Sequence, residues 1–227
     1  HKHKPEIIKI IKRNIGGISK LSSERLLDEF KKLTLSKNFL KLFEDSNSVE
    51  LIQIIFPQFK NLDKLKKLNT YAYHNLKNID FIFLLSLMII DGTDNTDYFL
   101  YKFNISKKDQ KRLKTINLFY KEEENIKKFN EKSFNKIFYF NGKQAVIDVI
   151  NFKIFTSDKV EKKLINLMES YKNKVIPTMP IGANNLMTKY NIPEGKTLGN
   201  KLKMIEEVWV NNGFKISDKQ VQKIAKN

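Results

Sequence analysis

Apolar residues recur three and four positions apart along almost the whole chain, and this periodicity limits the fold more than any other feature of the sequence. Ile7, Ile8, Ile11 and Ile15 follow it, as do Val160, Leu164, Leu167, Met168 and Tyr171, and again Leu198, Leu202, Ile205 and Trp209. Each set lies on one face of a helix of 3.6 residues per turn. The strict alternation that marks a half-buried strand is rare. Helix breakers are scarce too, with 8 glycines and 5 prolines among 227 residues. The chain therefore reads as all-α, with roughly a dozen helices. Hydrophobic residues make up 41% of it, enough to bury a real core.

The breaks order the helices. Gly16-Gly17 ends the first, and Ser22 is placed to cap the second, which turns Leu26, Leu27 and Phe30 inward. Phe39–Phe43 and Val49–Phe56 give two short helices, the second stopped by Pro57. Residues 61–91 read as a helical pair ending in the apolar run "FIFLLSLMII", Phe81–Ile90. That run is about half the roughly 20 residues a membrane span needs, so it reads as a core helix. After Asp91-Gly92, a short helix covers Asn95–Phe103. Ser106 caps a long one, "SKKDQKRLKTINLFYKEEENIKKF". Asn141-Gly142 is a turn before an almost wholly apolar helix opened by Ala145, Val146, Val149 and Ile150. Pro177 and Pro180 bracket an extended linker, followed by a short helix near Asn185–Lys189. Gly213 reads as the residue just past the next helix, with Phe214 packing back. No internal repeat or low-complexity tract is present.

The formal net charge is +17, from 42 Lys and Arg against 25 Asp and Glu. A surplus of that size attracts polyanions, and nucleic acid is the favoured partner. Only Arg13, Arg25 and Arg112 are arginines, however, and Lys, Asn and Ile dominate throughout. Drift in composition produces the same bias, so a helical protein-interaction module stays open as the alternative. No single basic amphipathic face points to a membrane surface. There is no cysteine, hence neither a disulfide nor a thiolate metal site. No secretory signal opens the sequence, and a cytoplasmic location is expected.

The search for catalytic chemistry is mostly negative. His1 and His3 have a spacing that can pinch a metal but sit at a terminus, and His74 in "YAYHNL" has no ligand-spaced partner. There is no Gly-x-Ser-x-Gly elbow. "PEGKTLG", residues 193–199, is not a phosphate loop, because position 190 is Tyr where the motif requires Gly. Thr197 can cap the following helix, with Lys196 beside its free N–H groups. Such a start is equally an ordinary capped helix or a seat for one backbone phosphate. Arg25 and Glu29 stand one turn apart, the spacing of a surface ion pair.

Three segments carry a resemblance. "KPEIIKIIKRNIGGISKLSSERLLDEFKKL" resembles the neck of bacterial CCA-adding tRNA nucleotidyltransferases and the related bacterial poly(A) polymerases. There a helix ending in small residues precedes a Ser-x-Glu-Arg-x-x-x-Glu helix, matched by Ser22, Glu24, Arg25 and Glu29. "FYFNGKQAVIDVI" resembles the family's body helix. "PTMPIGANNLMTKYNIPEGKTLGNKLKMIEEVWVNNGFKIS" resembles its tail, with Asn185 where the family usually has an acidic residue. Together the three, in the family's order, span essentially the whole chain.

The resemblance implies a neck/body/tail helical array, divided as 1–35 end of neck, 36–173 body and 174–227 tail. It also implies a role: holding RNA, tRNA first, so that its 3′ end reaches a catalytic head. The head's Gly-Gly-x-x-Arg-Asp and paired aspartates are absent, as are Arg-Arg-Asp and Glu-Asp-x-x-Arg. Those carboxylates are what two-metal nucleotidyl transfer requires. The chain is therefore expected to be a non-catalytic C-terminal part of such an enzyme, binding no cofactor itself. Mg²⁺ and ATP or CTP would belong to the head. Arg25 and Glu29 would brace the neck helix against the nucleotide-selecting helix. Lys196, Lys201, Lys203, Lys111 and Arg112 are the candidates for phosphate contact, chosen as cations near helix ends or on an exposed face.

Overall fold

The computed structural model describes residues 5–36, 38–121 and 129–226. Among them are thirteen α-helices and four short 3₁₀ turns, and no strand. No helix among the described residues is long and apolar enough to cross a membrane. The expected all-α class is thus what the chain adopts. By its internal contacts the chain forms two compact units, His1–Glu124 with Asp148–Met168, and Asn125–Ile147 with Glu169–Asn227.

The first unit opens with α1 (Pro5–Arg13), α2 (Ser23–Thr34) and α3 (Ser46–Ile55). Ser22 caps α2, its hydroxyl accepting from the Arg25 N–H at 3.3 Å. The helix expected over Phe39–Phe43 is a 3₁₀ turn, Phe39–Glu44, and α3 starts earlier than expected because the Asp45 carboxylate caps it through the Ser48 N–H at 3.3 Å. The stretch read as one helical pair is cut into a 3₁₀ turn, α4 (Thr70–Asn75), a second turn and α5 (Phe81–Ile89). The cuts are made by Asn69 and Asp80, whose side chains cap α4 and α5 at 2.9 Å each. α6 (Asn95–Lys102) and α7 (Lys107–Lys121) follow. Ser106 caps α7 as expected, and the helix expected to continue over residues 122–128 falls outside the described residues.

Phenylalanines build this unit's core. Phe56 stacks on Phe59 with centroids 4.7 Å apart, Phe30 lies 4.9 Å from Phe59, and Phe99 lies 4.6 Å from Phe103. Phe59, Phe99 and Phe103 are fully buried. The apolar run Phe81–Ile90 is buried over Phe83–Ile90, as its composition requires. Asn95 closes its end, its amide donating to the Ile89 carbonyl at 2.7 Å and to Gln58 at 2.8 Å.

The second unit contains α8 (Glu131–Asn141), then α11 (Ala183–Tyr190), α12 (Lys196–Asn211) and α13 (Asp218–Lys226). α9 (Lys143–Thr156) and α10 (Lys162–Asn173) contribute residues to both units. The linker around Pro177 and Pro180 has no regular structure, as read from the prolines. Leu186, Ile192, Leu198, Ile205, Val221 and Ala225 form a shared core. Trp209 packs against Tyr139 and Phe214, with centroids 5.3 and 5.1 Å away. Gly213, at φ +65°, stands two residues past α12, and the Phe214 N–H returns to the Trp209 carbonyl at 2.9 Å.

Candidate nucleic-acid interface

Helix α2 carries the Ser-x-Glu-Arg segment, and three contacts fix it. Phe30 anchors its inner face in the phenylalanine core, and Ser22 caps its start. Glu24 accepts from the Asn104 amide at 2.9 Å, tying the first turn to the loop between α6 and α7. The expected Arg25–Glu29 pair does not form. Glu29 pairs with Lys32 at 2.9 Å instead, and Arg25 stays exposed with no ion-pair partner among the described residues. The acid-before-base order of Glu29 and Lys32 suits the helix dipole, and the Arg25–Glu29 order opposes it. The Lys32 hydrogen bond and charge, with a smaller contribution from Arg25, lower the Glu29 pKa. That leaves Arg25 presented to solvent beside exposed Lys31 and Lys32. On α1, Lys9 and Arg13 are exposed, while Lys12 pairs with Glu50 of α3.

The five cations chosen for phosphate contact divide between the units. Arg112 corrects the expectation of a surface cation: its side chain is only 14% exposed. It donates from Nε to Asp148 Oδ2 at 2.8 Å, and from one terminal nitrogen to Asp148 Oδ1 at 3.1 Å and to Asp80 Oδ2 at 2.8 Å. Burial works against its charge, yet the bonds to Asp148 and Asp80 outweigh that and raise its pKa. Lys111 is exposed on the same helix.

Lys201 is also turned inward. Its ammonium donates to the Ile224 and Ala225 carbonyls at 3.0 and 2.7 Å, serving the open C-terminal end of α13. Lys196 and Lys203 remain exposed, seven residues apart and so on one side of α12. Thr197 does not cap α12. The helix begins at Lys196 behind Gly195, whose φ of +142° only glycine adopts readily, and no side chain caps it. A groove of about 420 Å³ runs beside Lys203, lined by Met179, Ile181, Ala183, Leu202 and Glu206. Glu206 accepts from the Tyr139 hydroxyl at 2.7 Å. Partial burial, then that bond and the carboxylate's charge, push the Tyr139 pKa up to about 12.

Asn185 serves α11. Its side-chain oxygen accepts from the Gly182 N–H at 2.9 Å, a capping role that needs no charge. His74 packs edge-on against Tyr73, and His1 and His3 lie outside the described residues. Among the described residues, no group of three or more His, Asp or Glu is placed to hold a metal ion.

Comparison with the curated proteins returned no match. Among the family models, residues 4–62, which include α1, α2 and α3, match the one described as the probable RNA and SrmB-binding site of polymerase A, and so mark an RNA-binding region of the poly(A) polymerase type.

Proposed function

We propose that this chain holds RNA for a nucleotidyltransferase of the CCA-adding or poly(A) polymerase type, with tRNA as the first substrate to test. The match over residues 4–62 carries the reading. Its support is the geometry of α2, where Arg25, Lys31 and Lys32 are presented to solvent on a helix fixed by Phe30, Ser22 and Glu24. Lysines on rigid helices bind backbone phosphate without reading bases. Lys196 and Lys203 are the remaining exposed candidates on α12. In this reading residues 1–35 are the end of a neck, 36–173 a body and 174–227 a tail, and bond formation belongs to a head carrying Mg²⁺ and ATP or CTP. Among the described residues, Asp80 and Asp148, brought together on Arg112, are both engaged by its guanidinium.

Filter binding of tRNA tests the reading. Six to ten phosphate contacts predict a loss of affinity of roughly 10³-fold or more between 50 and 200 mM salt. No retention at low salt, or equal retention at both, would falsify it. Arg25→Gln with Lys31→Gln should weaken binding and flatten the salt dependence. Mg²⁺ with ATP or CTP should give no incorporation on the chain alone.

A second reading, a protein-docking module, is favoured by α1, where Ile7 is 46% and Ile10 is 59% exposed. The matched model's description names a protein, SrmB, beside RNA. Binding of SrmB that is lost on Ile7→Ser with Ile10→Ser, tRNA binding being unchanged, would support it.

A further inference from the structure

The α6–α7 hairpin places two tyrosines in solvent. Tyr98 is 64% and Tyr101 is 93% exposed, although tyrosine rings of that size are usually partly buried. They stand three residues apart on α6, so both lie on one face, with Cβ atoms about 5–6 Å apart. Neither is needed by the core, because Phe99, Leu100 and Phe103 already fill the buried face. Exposed lysines stand at the loop end of the hairpin, Lys102 on α6 and Lys107 and Lys108 on α7, with exposed Lys114 two turns further along α7. The acidic groups near the pair are Asp94 and Asp97, one helical turn before Tyr98 and Tyr101, and Asp97 is paired with Lys121 at 3.6 Å. Asp109 accepts from the Ser106 hydroxyl at 2.7 Å.

We propose that Tyr98 and Tyr101 form a stacking platform for unpaired bases of a single-stranded RNA segment, whose phosphates run over the lysines at the loop end of the hairpin. Aromatic faces beside ammonium groups match a single strand on both counts, since its bases offer free π-faces and its backbone is anionic. Bases inside a duplex are already stacked and offer neither ring face. The platform also connects with the region that the family model matches. Asn104, three residues beyond Tyr101, donates to Glu24 of α2. That bond ties the loop beside Tyr101 to the first turn of α2, which carries Arg25. This inference rests on the chain being an RNA binder and adds the class of RNA and the residues that grip it.

Fluorescence anisotropy with a labelled 12-nucleotide oligo(A), a 12-base-pair RNA duplex and tRNA tests it on the full chain. Tyr98→Ala with Tyr101→Ala should weaken oligo(A) binding at least tenfold, as loss of base–aromatic stacking does. The duplex should change less than twofold. Tyr98→Phe with Tyr101→Phe should restore oligo(A) binding, because the ring and not the hydroxyl stacks. If the double alanine variant loses helicity by circular dichroism, Tyr101→Ala alone carries the test. Unchanged oligo(A) affinity in the alanine variant, with tRNA still bound, overturns the platform but leaves RNA binding standing. Failure of the unaltered chain to bind any of the three RNAs overturns both.

Discussion

Removal of Arg112 should be costly. Asp148 is 2% exposed and receives two bonds from it. A buried carboxylate tolerates that position only while a cation and its donors compensate the lost hydration. The Asp80 arm matters less, because that carboxylate is half exposed and the pair is screened by water. Arg112→Leu should therefore destabilise the chain by about 3–5 kcal/mol. Arg112→Leu with Asp148→Leu should recover most of that loss, since the penalty comes from a buried carboxylate that has lost its guanidinium counter-charge. Urea denaturation of the two variants measures both, and equal midpoints would show that Asp148 rehydrates at little cost. The sequence hid this arrangement. Arg112 sits among lysines, so it reads as one more surface cation, while its carboxylates lie 32 and 36 residues away. Lys201 misleads in the same way, its partners being carbonyls 23 and 24 residues on.

Elements were legible where their ends are decided by neighbouring residues. Ser22, Ser106 and Gly213 act as their positions suggest because a cap bonds only two or three residues away. α13 followed the same rule and was still missed. Ser217 and Gln220 form a reciprocal capping box there, the Gln220 N–H on Ser217 Oγ at 3.3 Å and the Ser217 N–H on Gln220 Oε1 at 2.9 Å. The start of α12 was misplaced for a different reason. Thr197 has a capping side chain, but Gly195 adopts φ +142° and ψ −163°, a conformation that only glycine takes up cheaply. Once Gly195 turns the chain, the helix begins before Thr197 can cap it. Gly195→Ala isolates that backbone term, because an added Cβ would meet no atom within 4 Å. The expected cost is about 1–3 kcal/mol, from strain alone. A thermal melt checks it, and an unchanged midpoint would mean that the turn relaxes into an ordinary conformation.

For the whole molecule, periodicity made the fold class legible, because helix burial depends on spacing that the sequence displays directly. The two compact units were not legible in the same way. Each joins stretches separated along the chain, so its core depends on contacts between residues far apart in sequence. The charge of +17 belongs to this scale as well, and it couples two observables with opposite signs. Like charges on a compact chain repel one another, which salt relieves within a Debye length that shrinks to about 8 Å at physiological ionic strength. The surface ion pairs that salt would weaken are worth little each. Raising NaCl from 20 to 300 mM should therefore raise Tm, each 1 kcal/mol of relieved repulsion giving about 2–4 °C in a chain of this size. RNA affinity should fall over the same range, because counterions released on binding become costlier to release. Differential scanning calorimetry and anisotropy on one sample series read the two trends together. If Tm fell with salt while RNA binding held constant, the lysines would be stabilising the fold through local pairs, and the surplus charge would have no polyanion to serve.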